Sequence, residues 1–311
     1  MEYRNLGRSG LQVSIVGIGT NNFGGRMDAD ATALVVNEAL DAGINFFDEA
    51  DVYGGGGKSE EFFGEALKGR RHEAIIATKF GMPMGSPAKS GGSRRWIMQA
   101  VDDSLRRLQT DYIDLYQMHR PDSRTPIEET LRALDDVVSA GKVRYIGSSN
   151  YAGWQVAEAE LTARHAHYVP FITSQMEYSL LNREIEPEHV PALKQYGQSL
   201  LPYYPLASGM LTGKYRPGQD APAGTRLASG ANSSRFLNEQ NLATAQQLEE
   251  WATAHGHSLL ELAFSWLASQ PFVGSVIAGA TKPEQVRANA AAAEWRLTPE
   301  EMAEVDAITK G

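Results

Sequence analysis

Ala74-Ile75-Ile76-Ala77-Thr78-Lys79 is a short apolar run that stops at a cation. Such a run between helical segments reads as a strand of a parallel sheet, buried on both faces. Working outward, the same pattern recurs on either side. Ile44-Asn45-Phe46-Phe47 ends at Asp48, and Tyr112-Ile113-Asp114-Leu115-Tyr116-Gln117-Met118 ends at His119. Residues 143–147 lead into Ser148-Ser149-Asn150, and Phe171-Ile172-Thr173-Ser174 leads into Gln175. Ser199-Leu200-Leu201-Pro202 leads into Tyr203, and Ser275-Val276-Ile277 into Gly279. Seven runs therefore finish beside residues suited to chemistry or ligand contact. In a parallel β/α barrel the strands' C-terminal ends converge on one mouth, so the pattern predicts both an α/β (β/α)8 TIM barrel and its active face.

The intervening segments support that topology. Helical periodicity is expected over 30–42, 59–67, 95–108, 126–140, 151–164, 187–196, 241–255, 259–269 and 283–293. Thr125-Pro126 with Glu128 and Glu129 supplies a cap, a first-turn proline and acids that suit the helix dipole, and Gly141 closes that helix. Asn150 or Tyr151 opens the next. Thr298-Pro299-Glu300-Glu301 opens an extra C-terminal helix. Alternation of strand and helix implies right-handed crossovers. Leu6-Gly7-Arg8-Ser9-Gly10-Leu11 reads as the turn of an N-terminal β-hairpin closing one barrel end, ahead of a first core strand over 14–19. Residues 213–238 are rich in Gly, Pro, Ser, Asn and Ala and follow the seventh strand, so they should overhang the mouth. No linker divides the chain, so residues 1–311 are expected to form a single domain.

Composition narrows the partners. With 29 basic against 38 acidic residues the net charge is −9, which argues against binding nucleic acid through a basic face. Cysteine is absent, which excludes disulfides, thiolate metal sites and cysteine nucleophiles. Met1-Glu2-Tyr3-Arg4 is no signal peptide, and no apolar window reaches the roughly 20 residues of a membrane span. A cytoplasmic protein without a membrane partner is expected, a monomer by default, with a homo-oligomer left open.

Three motifs carry less than they suggest. Gly54-Gly55-Gly56-Gly57-Lys58-Ser59 misses the phosphate-loop pattern because Val52 stands where its first glycine belongs. Gly17-Ile18-Gly19 is followed by Thr20-Asn21-Asn22, not a dinucleotide fingerprint. His165/His167 and His255/His257 are spaced by two, which separates the rings on a helix, so no metal site is expected.

Asp48, Tyr53, Lys79 and His119 remain. Singly, each has an ordinary structural reading as a packed phenol, a buried ion pair or a core histidine. Together they set four complementary groups on adjacent strand ends. Carbonyl reduction needs hydride on carbon and a proton on oxygen. A free tyrosine titrates near ~10. A lysine cation nearby should favour the phenolate and bring Tyr53 toward efficient general acid catalysis. Asp48 would keep Lys79 charged, and His119 would hydrogen-bond the carbonyl oxygen.

At these positions the chain resembles the aldo-keto reductases. The motifs are Asn45-Phe46-Phe47-Asp48-Glu49-Ala50-Asp51-Val52-Tyr53-Gly54, Ala77-Thr78-Lys79-Phe80-Gly81, and Ser104-Leu105-Arg106-Arg107-Leu108 with Asp111-Tyr112-Ile113-Asp114-Leu115. His119-Arg120-Pro121-Asp122, Gly147-Ser148-Ser149-Asn150, Pro205-Leu206-Ala207-Ser208-Gly209 and Leu211-Thr212-Gly213-Lys214-Tyr215 follow in order. The resemblance implies an NADP(H)-preferring reductase of aldehydes and ketones, with Asp48, Tyr53, Lys79 and His119 as catalytic tetrad and Tyr53 as proton donor. It further implies that Ser149, Asn150 and Gln175 hold the nicotinamide carboxamide, that Tyr203 stacks on the ring, and that Gly19, Thr20 and Asn21 line the first loop beside it. Leu206, Ser208 and Gly209 fall at the pyrophosphate. Gly279, Ala280, Thr281, Gln285 and Asn289 fall at the adenosine end.

Two departures stand out. Tyr204 occupies a position where the family often has serine. Thr281 stands where an arginine commonly grips the 2′-phosphate, leaving Lys282 as the cation of that segment, with Arg287 just beyond. NADPH is therefore the expected cofactor, with NADH still open. Asn22, Phe23, Tyr53, Phe80, Met82 and His119 are the expected substrate wall, an apolar and partly aromatic pocket for a small carbonyl compound. Residues 81–93 are expected to form a mobile rim or an ordinary surface loop. Two rivals stay open: an NAD(P)+-dependent sugar or alcohol dehydrogenase, and a cofactor-sensing channel subunit of the same family, against which the intact tetrad weighs.

Overall fold

Strand side chains alternate between two faces, and in this chain both faces of most strands are buried. In the computed structural model, which describes residues 1–228 and 233–310, those strands close into a barrel. A hairpin of β1 (Tyr3–Asn5) and β2 (Gln12–Ser14) precedes β3 (Val16–Gly19). Next come α1 (Ala29–Asp41), β4 (Phe46–Asp48), α2 (Tyr53–Gly56), α3 (Lys58–Ala66) and β5 (Ile75–Phe80). They are followed by α4 (Arg94–Leu108), β6 (Ile113–Met118), α5 (Ile127–Ser139), β7 (Val143–Ser149) and α6 (Gly153–Ala166). After β8 (Thr173–Glu177), α7 (His189–Tyr196) and β9 (Ser199–Tyr203) come α8 (Ser233–Phe236), α9 (Glu239–Ala254) and α10 (Leu259–Ala268). The chain finishes with β10 (Val276–Gly279), α11 (Pro283–Ala292) and α12 (Pro299–Lys310).

The eight-stranded sheet runs β10-β3-β4-β5-β6-β7-β8-β9, every pair parallel. Its edges meet just ahead of β10, where Leu200 N–H donates to the Phe272 carbonyl at 2.7 Å and Gly274 N–H to the Leu200 carbonyl at 2.9 Å. The fold is a (β/α)8 barrel.

The two strand faces have different fates. Phe46, Ala77, Leu115, Leu201 and Ile277 form a small interior cluster with Leu6 and Val13 of the hairpin segment, which plugs the N-terminal end of the barrel. Ile76, Phe80, Tyr116, Met118 and Ile146 join the larger layer between sheet and helices. Two residues beyond the interior cluster, on the same inward face, stand Asp48, Lys79, Gln117, Tyr203 and Gly279. The register aligns them into one rim: Asp48 pairs with Gly19 and Ala77, Lys79 with Gln117, and Ser149 with Gln175.

Local chemistry moved some helix starts. Pro126 serves as the N-cap residue of α5 and not as its first turn, since its φ of −54° and ψ of 137° are extended. α6 opens at Gly153 after Ala152, because Asn150 is held left-handed at φ 60°. Thr298 and Glu301 form the expected reciprocal cap of α12. The glycine run has a steric cause: Gly54 to Gly57 all have positive φ, and a Cβ on Gly54 would stand 2.7 Å from the Ser59 nitrogen. Of the long segment 213–238, residues 229–232 lie outside the described residues. The part before them crosses the mouth, anchored by buried Tyr215 and Leu227.

Candidate active site

A cavity of about 780 Å³ opens at the C-terminal rim, within the range of small-molecule sites. Asp48 sits at its base. The Lys79 ammonium is fully buried behind it, donating to Asp48 Oδ2 at 2.6 Å and to the Glu49 carbonyl at 2.9 Å. The same nitrogen lies 3.3 Å from the Tyr53 hydroxyl. Asp48 Oδ1 accepts from Gln175 Nε2 at 2.8 Å and from Gln117 Nε2 at 3.2 Å. Both carboxylate oxygens are therefore engaged, which fixes the lysine. Burial opposes the Lys79 charge, yet Asp48 and Tyr53 outweigh it and leave its pKa above the ordinary lysine value.

Tyr53 departs from the sequence expectation. Burial dominates and raises its pKa above that of a free phenol; Lys79 pulls down, while Asp48 and Glu49 push up. The lysine thus offsets desolvation without making the phenol more acidic than in water. Burial is the largest cause, and Asp48, paired with Lys79, offsets part of the lysine's pull. His119 is edge-on to Tyr53, with ring centres 6.1 Å apart. Burial, with the charges of Lys79 and Arg120, pushes it down to about 3, so the imidazole is neutral at pH 7. Its Nδ1 is buried with no partner among the described residues, and its carbonyl accepts from Asn150 Nδ2 at 3.0 Å.

The other expected residues divide by strand face. Gly19, Thr20, Asn21, Asn22, Ser149, Asn150, Gln175, Tyr203, Leu206, Ser208, Gly209, Gly279, Thr281, Gln285 and Asn289 all line the cavity. Tyr203 donates to Asn150 Oδ1 at 2.8 Å. Phe80 does not face the cavity: it follows inward Lys79, so alternation turns it outward to stack on Tyr116 at 4.6 Å. Ala280 is turned away after Gly279 in the same manner and is buried. Phe23 is wholly buried in the outer layer, and Met82 lies outside the wall. In place of an apolar aromatic pocket, the wall is rich in Arg, Asn, Gln and Tyr. Segment 81–93 is tied down by Gly91 N–H to the Gly81 carbonyl at 2.8 Å and Gly92 N–H to Asp122 at 2.9 Å. Tyr204 lines the cavity at φ 53° and packs edge-on against Tyr203, so the larger ring occupies wall space.

A dinucleotide fits these groups. Ser208 Oγ is buried at the cavity wall with no partner among the described residues, in a tight turn that Ala207, Ser208 and Gly209 make with positive φ. A Cβ on Gly209 would come within 3.1 Å of Lys214 Nζ. Arg226 reaches Asn22 Oδ1 at 3.0 Å from the overhanging segment. At the far end, Gln285 Oε1 accepts from the Thr281 amide at 2.7 Å. Lys282 is exposed beside the wall and not part of it, and Arg287 is engaged by Glu38 at 2.6 Å. Gln117 has no role in the expectations from sequence, which include Lys214 and Arg226 as part of the 213–238 segment over the mouth. Inward alternation beyond Leu115 could have found Gln117, whereas Arg226 lies in a segment without periodicity.

A family model described as the aldo/keto reductase family matches residues 15–310. The chain belongs to the aldo/keto reductase family. It is an oxidoreductase by that membership. A probable voltage-gated potassium channel subunit beta of Oryza sativa subsp. japonica is 39% identical, the alignment covering 100% of this chain and 97% of the relative. An uncharacterized oxidoreductase of Bacillus subtilis is 38% identical over 96% and 93%. The L-glyceraldehyde 3-phosphate reductase of Escherichia coli K12 is 35% identical over 98% and 92%. Among the described residues no helix of this reductase is long and apolar enough to cross a membrane.

Behind Asp48 and Lys79 the reductase buries Glu49 and Asp51 beside Glu60, which is paired with Arg107. Glu49 accepts from Ser59 Oγ at 2.6 Å, and both side-chain oxygens of Asp51 lack partners among the described residues. Desolvation, reinforced by the neighbouring Glu60 charge, pushes each up to about 8. Both therefore hold protons in the folded state at pH 7 and release them on unfolding. The stability this confers is complete below the ordinary carboxylate range and is lost as pH rises through about 8. Buried His119 and His189, pushed down to about 3 and about 4, act in the opposite sense below the ordinary histidine value. Between pH 7 and 8.5 the acids dominate, and the melting temperature is expected to fall. Each acid contributes at most about 1.4 kcal/mol per pH unit. Glu49→Gln should flatten the slope; an unchanged slope would show Glu49 ionised at neutral pH.

Proposed function

We propose that this aldo/keto reductase reduces small aldehydes and ketones with NADPH, Tyr53 protonating the carbonyl oxygen as hydride reaches the carbonyl carbon. The bound nicotinamide supplies the hydride. The observation that carries the reading is the buried Asp48–Lys79–Tyr53 chain, 2.6 and 3.3 Å in its two links, ending at the cavity wall beside a neutral imidazole. His119 donates to the carbonyl oxygen and orients it; Tyr53 then gives up its proton as charge develops there. Lys79 stabilises the phenolate that remains, and Asp48, held by Gln175 and Gln117, keeps the ammonium in place. Residues 1–311 act as one catalytic unit, in the cytoplasm and as a monomer, with no nucleic-acid or membrane partner.

Support for NADPH over NADH lies in Lys282 at the N-cap of α11, beside the Thr281–Gln285 contact. Lys282→Ala should weaken NADPH several-fold more than NADH, read by titration of each cofactor. Equal loss for both would remove Lys282 from the 2′-phosphate. The reading as a whole is tested by following the reduced-nicotinamide absorbance band with a mixed carbonyl and alcohol panel and both cofactors. Turnover of carbonyls with NADPH is expected. Turnover of alcohols or sugars alone, with oxidised cofactor, would favour the dehydrogenase direction.

A second reading rests on the relatives named as potassium channel subunits. In it the chain binds cofactor tightly and partners a channel. Slow, single-turnover oxidation of bound cofactor across the whole panel would favour it.

A further inference from the structure

The cavity wall carries five cationic side chains, Arg26, Arg120, Lys214, Arg226 and Arg235, against two carboxylates, Asp48 and Glu177. That surplus sits on a chain of net charge −9, so it is local to the mouth. Asp48 is occupied by Lys79, and Glu177 by Arg235 at 2.6 Å. Lys214 lies against Gly209, where the resemblance places the pyrophosphate, and Arg226 is held by Asn22 Oδ1 at 3.0 Å. Arg120 and Arg26 are left, exposed and without an ion-pair partner among the described residues. Residues 229–232 are Ser, Gly, Ala and Asn and hold no acid that could serve them.

Arg120 follows His119 directly. Its strand end is anchored by the His119 amide on the Phe80 carbonyl at 2.9 Å and by Asn150 on the His119 carbonyl at 3.0 Å. Its charge reaches both His119 and Tyr203. Arg26 stands in the loop after β3, close enough for its charge to act on Arg226. An ordinary surface arginine would gain nothing from facing a cavity that already holds excess positive charge. A planar guanidinium in such a field suits a carboxylate or phosphate bound through two parallel hydrogen bonds.

We infer that the reductase selects carbonyl substrates bearing an anionic group, which Arg120 binds beside His119 while Arg26 adds attraction at the entrance. This rests on the carbonyl-reductase reading above. The probes are 4-carboxybenzaldehyde, 4-formylphenyl phosphate and neutral 4-methoxybenzaldehyde, each assayed with NADPH at low and high salt. The expected result is a kcat/KM preference for one or both anionic aldehydes, carried by KM and weakened by salt. Which anion is preferred separates a carboxylate subsite from a phosphate one. In Arg120→Gln the charged-to-neutral ratio should fall about five- to tenfold, and in Arg26→Gln by less. Arg120→Lys should recover part of it, since charge returns without the planar fork. Reduction of all three with no preference, or an unchanged ratio in Arg120→Gln, would overturn the inference while leaving the reductase reading standing. Failure of the wild type to reduce any of them would sink that reading, and the inference with it.

Discussion

Tyr53→Phe is expected to abolish carbonyl reduction while leaving cofactor affinity nearly intact. The substitution deletes one oxygen, the one 3.3 Å from Lys79 Nζ, and keeps the ring edge-on to His119. Loss of a positioned general acid costs about 10²–10⁴-fold in rate. The expected signature is a collapse of kcat with little change in nucleotide titration, because in the proposed mechanism the phenol acts on the carbonyl and not on the dinucleotide. Because burial holds the Tyr53 pKa above that of a free phenol, wild-type activity should not fall away at mildly alkaline pH through this group. A variant that kept most of its kcat would require another proton donor, and His119, already neutral, would be the next to replace.

Lys79→Met should be costly in a second way. Lys79 is fully buried and Asp48 is 3% exposed, so removing the ammonium leaves a carboxylate in the barrel with only Gln175 and Gln117 as partners. Breaking a buried pair from one side typically costs about 3–5 kcal/mol, because the remaining charge stays desolvated. Urea midpoints should register that loss alongside loss of turnover. Asp48→Asn added to Lys79→Met should restore much of the stability, since no unpaired charge remains, while activity stays lost. If the double variant were as unstable as Lys79→Met, the cost would lie in packing and not in charge.

Much of this molecule could be read before it was folded. Short apolar runs ending at Asp48, Lys79 and His119 gave the barrel and the rim where its cavity opens, because a parallel barrel gathers all strand C-termini at one mouth. The motif spacing gave the family. What the run pattern did not carry was the direction of each side chain. Phe80 and Ala280 adjoin rim residues in sequence, yet alternation turns them into the helix layer, and their chain neighbours Lys79 and Gly279 inward. Two helix starts also moved, at Pro126 and at Asn150, where local φ and ψ override the capping pattern.

Tertiary structure alone decided the electrostatics. A lysine near a tyrosine suggests an acidified phenol, but the balance depends on how deeply both are buried and on Asp48, 31 positions away in sequence, neutralising the lysine. The same holds for the mouth. An acidic composition gives no hint that five cations converge there, since Arg26 and Arg120 come from two distant loops and Lys214, Arg226 and Arg235 from the long segment after β9, without a shared period. Apolar patterning is written along the chain and fixes the fold locally. Charge acts through space, so what it does to a site is settled only once the loops meet.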